Sequence, residues 1–180
     1  DKNTIVDRVQ VNGAEVGGLT AEQAAERIRK DFEEGYADAV LTVSANGEEY
    51  QVEMYPSLSL DAEAAAKKAM AYGHGSFLSR GADLLKAKLF GESITENPTV
   101  GDEEKLSAAI DATGLSAINT TVQTTYEVTG DTLLIHKGKT GVSVDKESLT
   151  TDIRKAVSED DFATVIESPM LTGQVAATDM

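Results

Sequence analysis

Apolar residues recur along the chain at two spacings, and each spacing predicts one kind of secondary structure. Behind Thr20 they recur every three or four positions, and Thr20 with Gln23 matches a capping box. A helix is therefore predicted over residues 21–34, with Gly35 as its stop. An alanine-rich run predicts a second helix over 62–72.

Alternating apolar and polar residues predict strands, and turn dipeptides indicate where the strands pair. Asn12-Gly13 follows a short alternating run, and Asn46-Gly47 separates two strand-like segments, 39–43 and 50–54. Asn-Gly accepts the left-handed backbone angles that a two-residue hairpin needs. Both dipeptides therefore predict hairpins.

The C-terminal half continues with β-prone segments. Residues 120–128 and 132–136 flank the turn Thr129-Gly130-Asp131, which predicts another hairpin. Residues 162–166 predict a closing strand that Pro169 ends.

The two halves of the chain follow the same order of elements. After Asn97-Pro98 the pattern restarts with a helix that Gly114 ends. Each half contains a capped helix, strand, Gly turn, strand, short alternating strand and Asp-capped helix, and segments 57–61 and 141–145 match best. We therefore predict an α+β fold of two degenerate α-β-β-α repeats with mixed or antiparallel sheets.

This repeat predicts the domain boundaries. The first unit covers residues 1–96 and includes a helical insert, 72–91, which has no counterpart in the second unit, 97–170. Residues 171–180 lack periodicity and are interpreted as a tail or linker.

Composition excludes several classes of function. The formal net charge of −15 repels nucleic acid and anionic lipid, so neither is an expected partner. The absence of cysteine excludes disulfides, thiolate metal sites and cysteine nucleophiles. No apolar run approaches the roughly 20 residues that span a bilayer. Because the chain starts at Asp1, we expect a mature or excised piece whose export signal or membrane anchor lies upstream.

The predicted insert carries the local excess of positive charge. Residues 61–95 have a net charge of +1 (5 basic, 4 acidic), whereas residues 1–60 and 96–180 have −7 and −9. Glycine next to a histidine lets a ligand approach the backbone closely, and arginine can bind a carboxylate through two hydrogen bonds. The candidate ligand-binding residues are Tyr72, His74, Ser76 and Arg80.

Three of the four candidates also have a purely structural interpretation. The glycines beside His74 can serve a helix–helix connection with the imidazole in solvent, and Arg80 can pair with Asp83 three positions along a helix. Ser76 can cap the helix that follows. Both interpretations stay open.

No motif in the chain indicates catalysis, a cofactor or a metal. Residues 136–141 resemble a phosphate-binding loop, but Leu133 stands where the motif needs its first glycine, and a strand follows. Most acidic residues at predicted helix starts are explained by the backbone N–H groups there. Paired acids for glycoside hydrolysis are unsupported.

Several short motifs resemble one protein family. Residues 11–13 and 16–24, a strand hairpin, residues 69–75, and residues 141–145 with the following helix are similar to the peptidoglycan-binding domain that accompanies VanW-like proteins. That domain also precedes the catalytic domain of some L,D-transpeptidases of Gram-positive bacteria. The resemblance covers about residues 9–169.

The resemblance implies an α+β fold and an extracellular, wall-associated protein behind an N-terminal membrane anchor outside this chain. A transpeptidase of this kind needs a catalytic cysteine, which this chain lacks, so such a domain would lie beyond residue 180. The leading hypothesis is a non-catalytic module that binds peptidoglycan or its stem peptide. The alternative is a structural spacer or protein-interaction module that positions a neighbouring catalytic domain, and a hydrolase with acidic pairs ranks last.

Overall fold

The computed structural model describes residues 3–72 and 91–175, and it confirms the predicted α+β class. In the described residues the strands are β1 (Val9–Val11), β2 (Ala14–Glu15), β3 (Val40–Ala45), β4 (Glu48–Glu53), β5 (Leu58–Ser59), β6 (Glu92–Ile94), β7 (Thr99–Val100), β8 (Thr125–Thr129), β9 (Thr132–His136), β10 (Val142–Val144), β11 (Ile166–Glu167) and β12 (Met170–Thr172). The α-helices described are α1 (Ala21–Tyr36), α2 (Ala62–Ala71), α3 (Glu103–Ala112) and α4 (Lys146–Ser158).

The chain forms two compact units that interleave in sequence. Unit 1 consists of Asp1–Ala39 and Leu58–Gly101, and unit 2 consists of Val40–Ser57 and Asp102–Met180. The β3–β4 hairpin, which the sequence pattern assigns to the first repeat, therefore belongs to unit 2. The duplication itself stays a prediction, and most of the proposed insert lies outside the described residues.

Unit 1 packs two helices against a small sheet. Strand β1 pairs antiparallel with β2 through the Asn12-Gly13 turn and parallel with β6. Asn12 and Gly13 have φ angles of 49° and 85°, as the predicted tight turn requires. The fully apolar core of this unit consists of Ile5, Val9, Val11, Val16, Ala24, Ala25, Ile28, Ala62, Ala65, Ala66 and Ala69.

Helix α1 begins as predicted and ends later than predicted. The Gln23 N–H donates to Thr20 Oγ1 at 3.3 Å and the Thr20 N–H donates to Gln23 Oε1 at 3.1 Å, so the capping box is formed. The helix continues through Gly35 to Tyr36, so the predicted stop at Gly35 is wrong. Phe32 and Tyr36, one turn apart, place their ring centroids 4.8 Å from each other, and this contact extends the last turn.

Unit 2 is built around the three-stranded sheet β11-β3-β4. Central strand β3 pairs antiparallel with β4 and parallel with β11, and its Leu41 and Val43 are fully buried. The other fully buried apolar side chains of the unit come from β4, the residue after it, α3, the turn that follows α3, and α4. They are Val52, Met54, Leu106, Ile110, Leu115, Leu149, Ile153 and Val157.

The last strands differ from the sequence prediction. The strand predicted over 162–166 is reduced to Ile166–Glu167 because the Asp161 carboxylate accepts the N–H groups of Ala163 and Thr164 and forms a turn. The strand ends at Glu167, before Pro169, as predicted. A further strand, β12, begins after the proline and pairs with β10.

The predicted β8–β9 hairpin is confirmed, although β8 starts at Thr125 and not at residue 120. Its register aligns four apolar side chains on one exposed face, namely Tyr126, Val128, Leu133 and Ile135.

Candidate functional site

Of the residues predicted to bind ligand, only Tyr72 lies in the described part of the chain. Its hydroxyl donates to Glu92 Oε2 at 3.1 Å, and its partly buried side chain packs against the unit 1 core. Tyr72 also forms the C-terminal cap of α2. His74, Ser76 and Arg80 lie outside the described residues, so the ligand-binding role of all four residues stays a prediction.

Unit 2 contains a surface groove that the sequence did not indicate. Its volume is about 390 Å³, within the size range of small-ligand sites. The side chains that line the groove come from strand β4, the turn after it, helix α3 and the residue after α3. They are Gln51, Glu53, Pro56, Lys105, Ala108, Ala109, Ala112 and Thr113.

Helix α3 supplies a floor of small apolar side chains. Positions 105, 108, 109 and 112 follow the i, i+3, i+4, i+7 spacing that places residues on one helical face. On another face, Leu106 and Ile110 are fully buried and fix the helix against the unit 2 core. Because three of the four groove positions are alanine, the helix leaves open space where larger side chains would fill the groove.

Strand β4 supplies the polar wall of the groove. Gln51 and Glu53 are exposed, whereas Val52 between them is fully buried, as expected for alternate faces of a strand. In the described residues β4 pairs with β3 alone, so its other edge is not covered by a strand. The groove thus lies beside a sheet edge with free backbone groups.

The electrostatics of β4 are acidic. Glu48, Glu49 and Glu53 lie on this strand. Glu48 Oε2 accepts the Tyr50 hydroxyl at 3.0 Å, and this hydrogen bond raises the pKa of Tyr50 above its ordinary value. The Glu53 carboxylate has no hydrogen-bond or ion-pair partner among the described residues. Of these three acids, Glu53 lines the groove, and its carboxylate favours a cationic ligand group.

Lys105 is the basic residue of the groove, and the start of α3 determines its position. The Lys105 N–H donates to Asp102 Oδ1 at 3.0 Å, and its Nζ lies 3.2 Å from Asp102 Oδ2. Hydrogen bonding from this N–H is the main cause that lowers the pKa of Asp102. Lys105 is partly neutralised by Asp102, which leaves the negative charge of β4 dominant.

Sequence reasoning missed this groove because its parts lie about fifty positions apart and contain no chemical motif. The spacing of Lys105 and the alanines could have indicated an open helical face, and the acidic strand could have indicated a polar partner. Neither signal is specific without the packing of α3 beside β4.

The described residues offer neither a metal-binding cluster nor a membrane-spanning helix. Residues 3–72 and 91–175 contain no group of three or more His, Cys, Asp or Glu side chains placed to hold a metal ion. No helix within those ranges is long and apolar enough to cross a membrane.

The domain combines an α+β fold with a surface groove lined by apolar and charged side chains. Residues 55–165 match a family model described as "Putative peptidoglycan binding domain", which covers more than half of the chain. The chain belongs to this family, which is a binding and not a catalytic family. Peptidoglycan binding associates the chain with the cell wall. No curated protein and no solved structure matches the chain.

Proposed function

We propose that this chain is a non-catalytic module that binds peptidoglycan outside the cell, within a larger wall-associated protein. The observation that carries the proposal is the family match over residues 55–165. This range contains α3 and Pro56 of the groove. The groove offers a ligand both apolar and charged contacts, as binding sites for small polar molecules do.

The chemistry of the groove favours the peptide part of peptidoglycan over its glycan part. The chain has no Trp and 5% aromatic residues, and none of the described side chains that line the groove is aromatic. Sugar platforms use flat aromatic faces, whereas a peptide needs backbone hydrogen bonds, small pockets and a few charges.

A structural spacer that positions a neighbouring catalytic domain, such as an L,D-transpeptidase, is the second candidate. The net charge of −15 favours it, because an acidic protein is repelled by an anionic wall polymer. A spacer would need no ligand contact. In either case the membrane anchor belongs to a part of the protein outside this chain.

Co-sedimentation separates the two candidates. The folded chain is mixed with purified insoluble peptidoglycan from which anionic polymers have been removed, and the bound fraction is measured against protein concentration. Chitin, which has glycan strands without stem peptides, is the control polymer. Saturable binding to peptidoglycan and not to chitin supports the proposal, whereas recovery of all protein in the supernatant supports the spacer.

A further inference from the structure

We propose that the groove between β4 and α3 binds an extended peptide that carries a primary ammonium group. The peptide would pair with the free edge of β4, and Glu53 would bind its ammonium. This inference rests on the proposed function, because a diamino acid followed by alanine is the corresponding chemistry in peptidoglycan stems.

The edge of β4 provides the main-chain contacts. Strand β4 has six residues, Glu48–Glu53, and an extended strand of that length covers about 20 Å. Its pairing with β3 runs from Val40↔Glu53 to Ala45↔Glu48, so the edge of β4 that faces β3 is paired along its whole length. On the other edge, the N–H and C=O groups of alternate residues can pair with an added chain, the mode in which backbone hydrogen bonds supply affinity.

The negative charges on this edge favour a cationic peptide over a second copy of β4. Charged side chains on an edge strand normally oppose pairing with another chain, and Glu48, Glu49 and Glu53 would repel a second copy of β4. The same charges attract a cationic peptide. The edge therefore excludes self-association and admits an ammonium-bearing segment.

The floor of the groove gives a bound peptide apolar contacts. Ala108, Ala109 and Ala112 are exposed or half-buried beside Gln51 and Glu53 in one groove of about 390 Å³. Apolar groups of the peptide can contact these alanines, and this contact adds to the backbone pairing.

Glu53 is the residue that binds the ammonium group. It lines the groove, it is exposed, and no described residue neutralises it. Lys105, which lines the same groove, lies 3.2 Å from Asp102 Oδ2 and does not pair with Glu53. A charge pair at an exposed site contributes up to about 1 kcal/mol, which corresponds to about a fivefold change in affinity.

The experiment uses the whole chain and two fluorescent peptides that contain lysine followed by alanine. One peptide has a free ε-amine and the other is Nε-acetylated, and binding is followed by fluorescence anisotropy. We expect acetylation to weaken binding about two- to fivefold for the unaltered chain. Glu53→Gln should weaken binding of the free-amine peptide by a similar factor and should reduce the effect of acetylation.

Glu33→Gln is the matched control, because Glu33 is an exposed acid on α1 in unit 1. We expect it to leave both affinities unchanged. A peptide with N-methylated backbone amides tests the strand pairing and should bind more weakly than its unmethylated form. Circular dichroism of the Glu53→Gln chain should match the unaltered chain, since the side chain is exposed.

Equal binding of the free and acetylated peptides, or an effect of Glu53→Gln that does not depend on the amine, would overturn the inference. Co-sedimentation with insoluble peptidoglycan is measured in parallel. If the unaltered chain binds peptidoglycan but the free and acetylated peptides bind equally, the inference is wrong and the proposed function stands. If the free-amine peptide binds as expected but peptidoglycan is not bound, the groove binds amine-bearing peptides from another source and the proposed function is wrong.

Discussion

Substituting Leu41 tests the interleaved organisation of the chain most sharply. Leu41 lies in β3, the central strand of the unit 2 sheet, and is 0% exposed. Although it stands near the N-terminus, the structure places it in the unit that contains α3 and α4. Leu41→Ala should therefore destabilise distant C-terminal segments more than the neighbouring helix α1.

The expected magnitude follows from the burial of Leu41. A Leu→Ala change at a fully buried site costs about 2–5 kcal/mol, because it removes apolar contacts and leaves a cavity. Where amide exchange proceeds through opening of the unit, this loss raises the exchange rate by about 30-fold to several thousand-fold. Val40→Ala is the matched control, since Val40 is 37% exposed on the other face of the strand and should cost under about 1 kcal/mol.

Hydrogen–deuterium exchange measured by NMR gives the readout residue by residue. The Ser168 N–H, which donates to Ser44 O at 2.8 Å, and the amides of α4 should lose protection in Leu41→Ala. Amides of α1, such as Ala24 N–H, which donates to Thr20 O at 2.9 Å, should keep theirs. Equal loss of protection in both sets, or a loss confined to α1, would refute the assignment of β3 to a separately stable unit 2.

Three further predictions concern local structure and pH. Gly35→Ala should raise the free energy of unfolding of unit 1 by about 0.5–1 kcal/mol, measured by chemical denaturation, because Gly35 is helical with open space around it; a decrease would contradict the helical assignment. Gly141→Ala should lower the melting temperature, because a Cβ there would clash with the Thr120 backbone, and an unchanged melting curve would contradict that close approach. A hydrogen bond from the Ser148 hydroxyl lowers the pKa of Asp145 in the folded chain. The ionised carboxylate of Asp145 therefore stabilises the fold above the pKa of the unfolded chain, about 4, and this stabilisation is lost as the pH falls through the lower, folded pKa. Asp145→Asn should reduce the acid-induced drop in melting temperature between about pH 5 and 2, and an unaltered drop would contradict a stabilising role for this charge.

Local chemistry was predictable from the sequence where neighbouring residues determine it. Asn46 and Gly47 have φ angles of 53° and 84°, so this dipeptide forms the predicted turn without help from the rest of the chain. Asp61 and Asp145 cap helices as predicted, since each carboxylate accepts an N–H three residues ahead.

Long-range pairing was not predictable in the same way. The parallel pairing of β1 with β6 and of β3 with β11 joins residues more than eighty positions apart. Alternation along one strand indicates a buried face but does not identify the neighbouring strand. The assignment of β3 and β4 to unit 2 depends on these partners.

The candidate groove was hidden for a related reason. Its acidic wall and alanine floor come from separate segments, and alanine carries no functional group that marks a site. Local positive charge instead directed the prediction to Tyr72, His74, Ser76 and Arg80. Of these, Tyr72 donates a hydrogen bond to Glu92, and the others lie outside the described residues.

An NMR titration of the isotope-labelled chain with soluble muropeptides tests peptidoglycan binding most directly. Each backbone amide is followed up to millimolar ligand, and the shifts identify the bound surface. We expect saturable shifts at residues 51–56 and 105–113, which line the groove, while shifts confined to residues 72–81 would support the predicted insert site. A spectrum that stays unchanged throughout the titration would contradict binding by this domain.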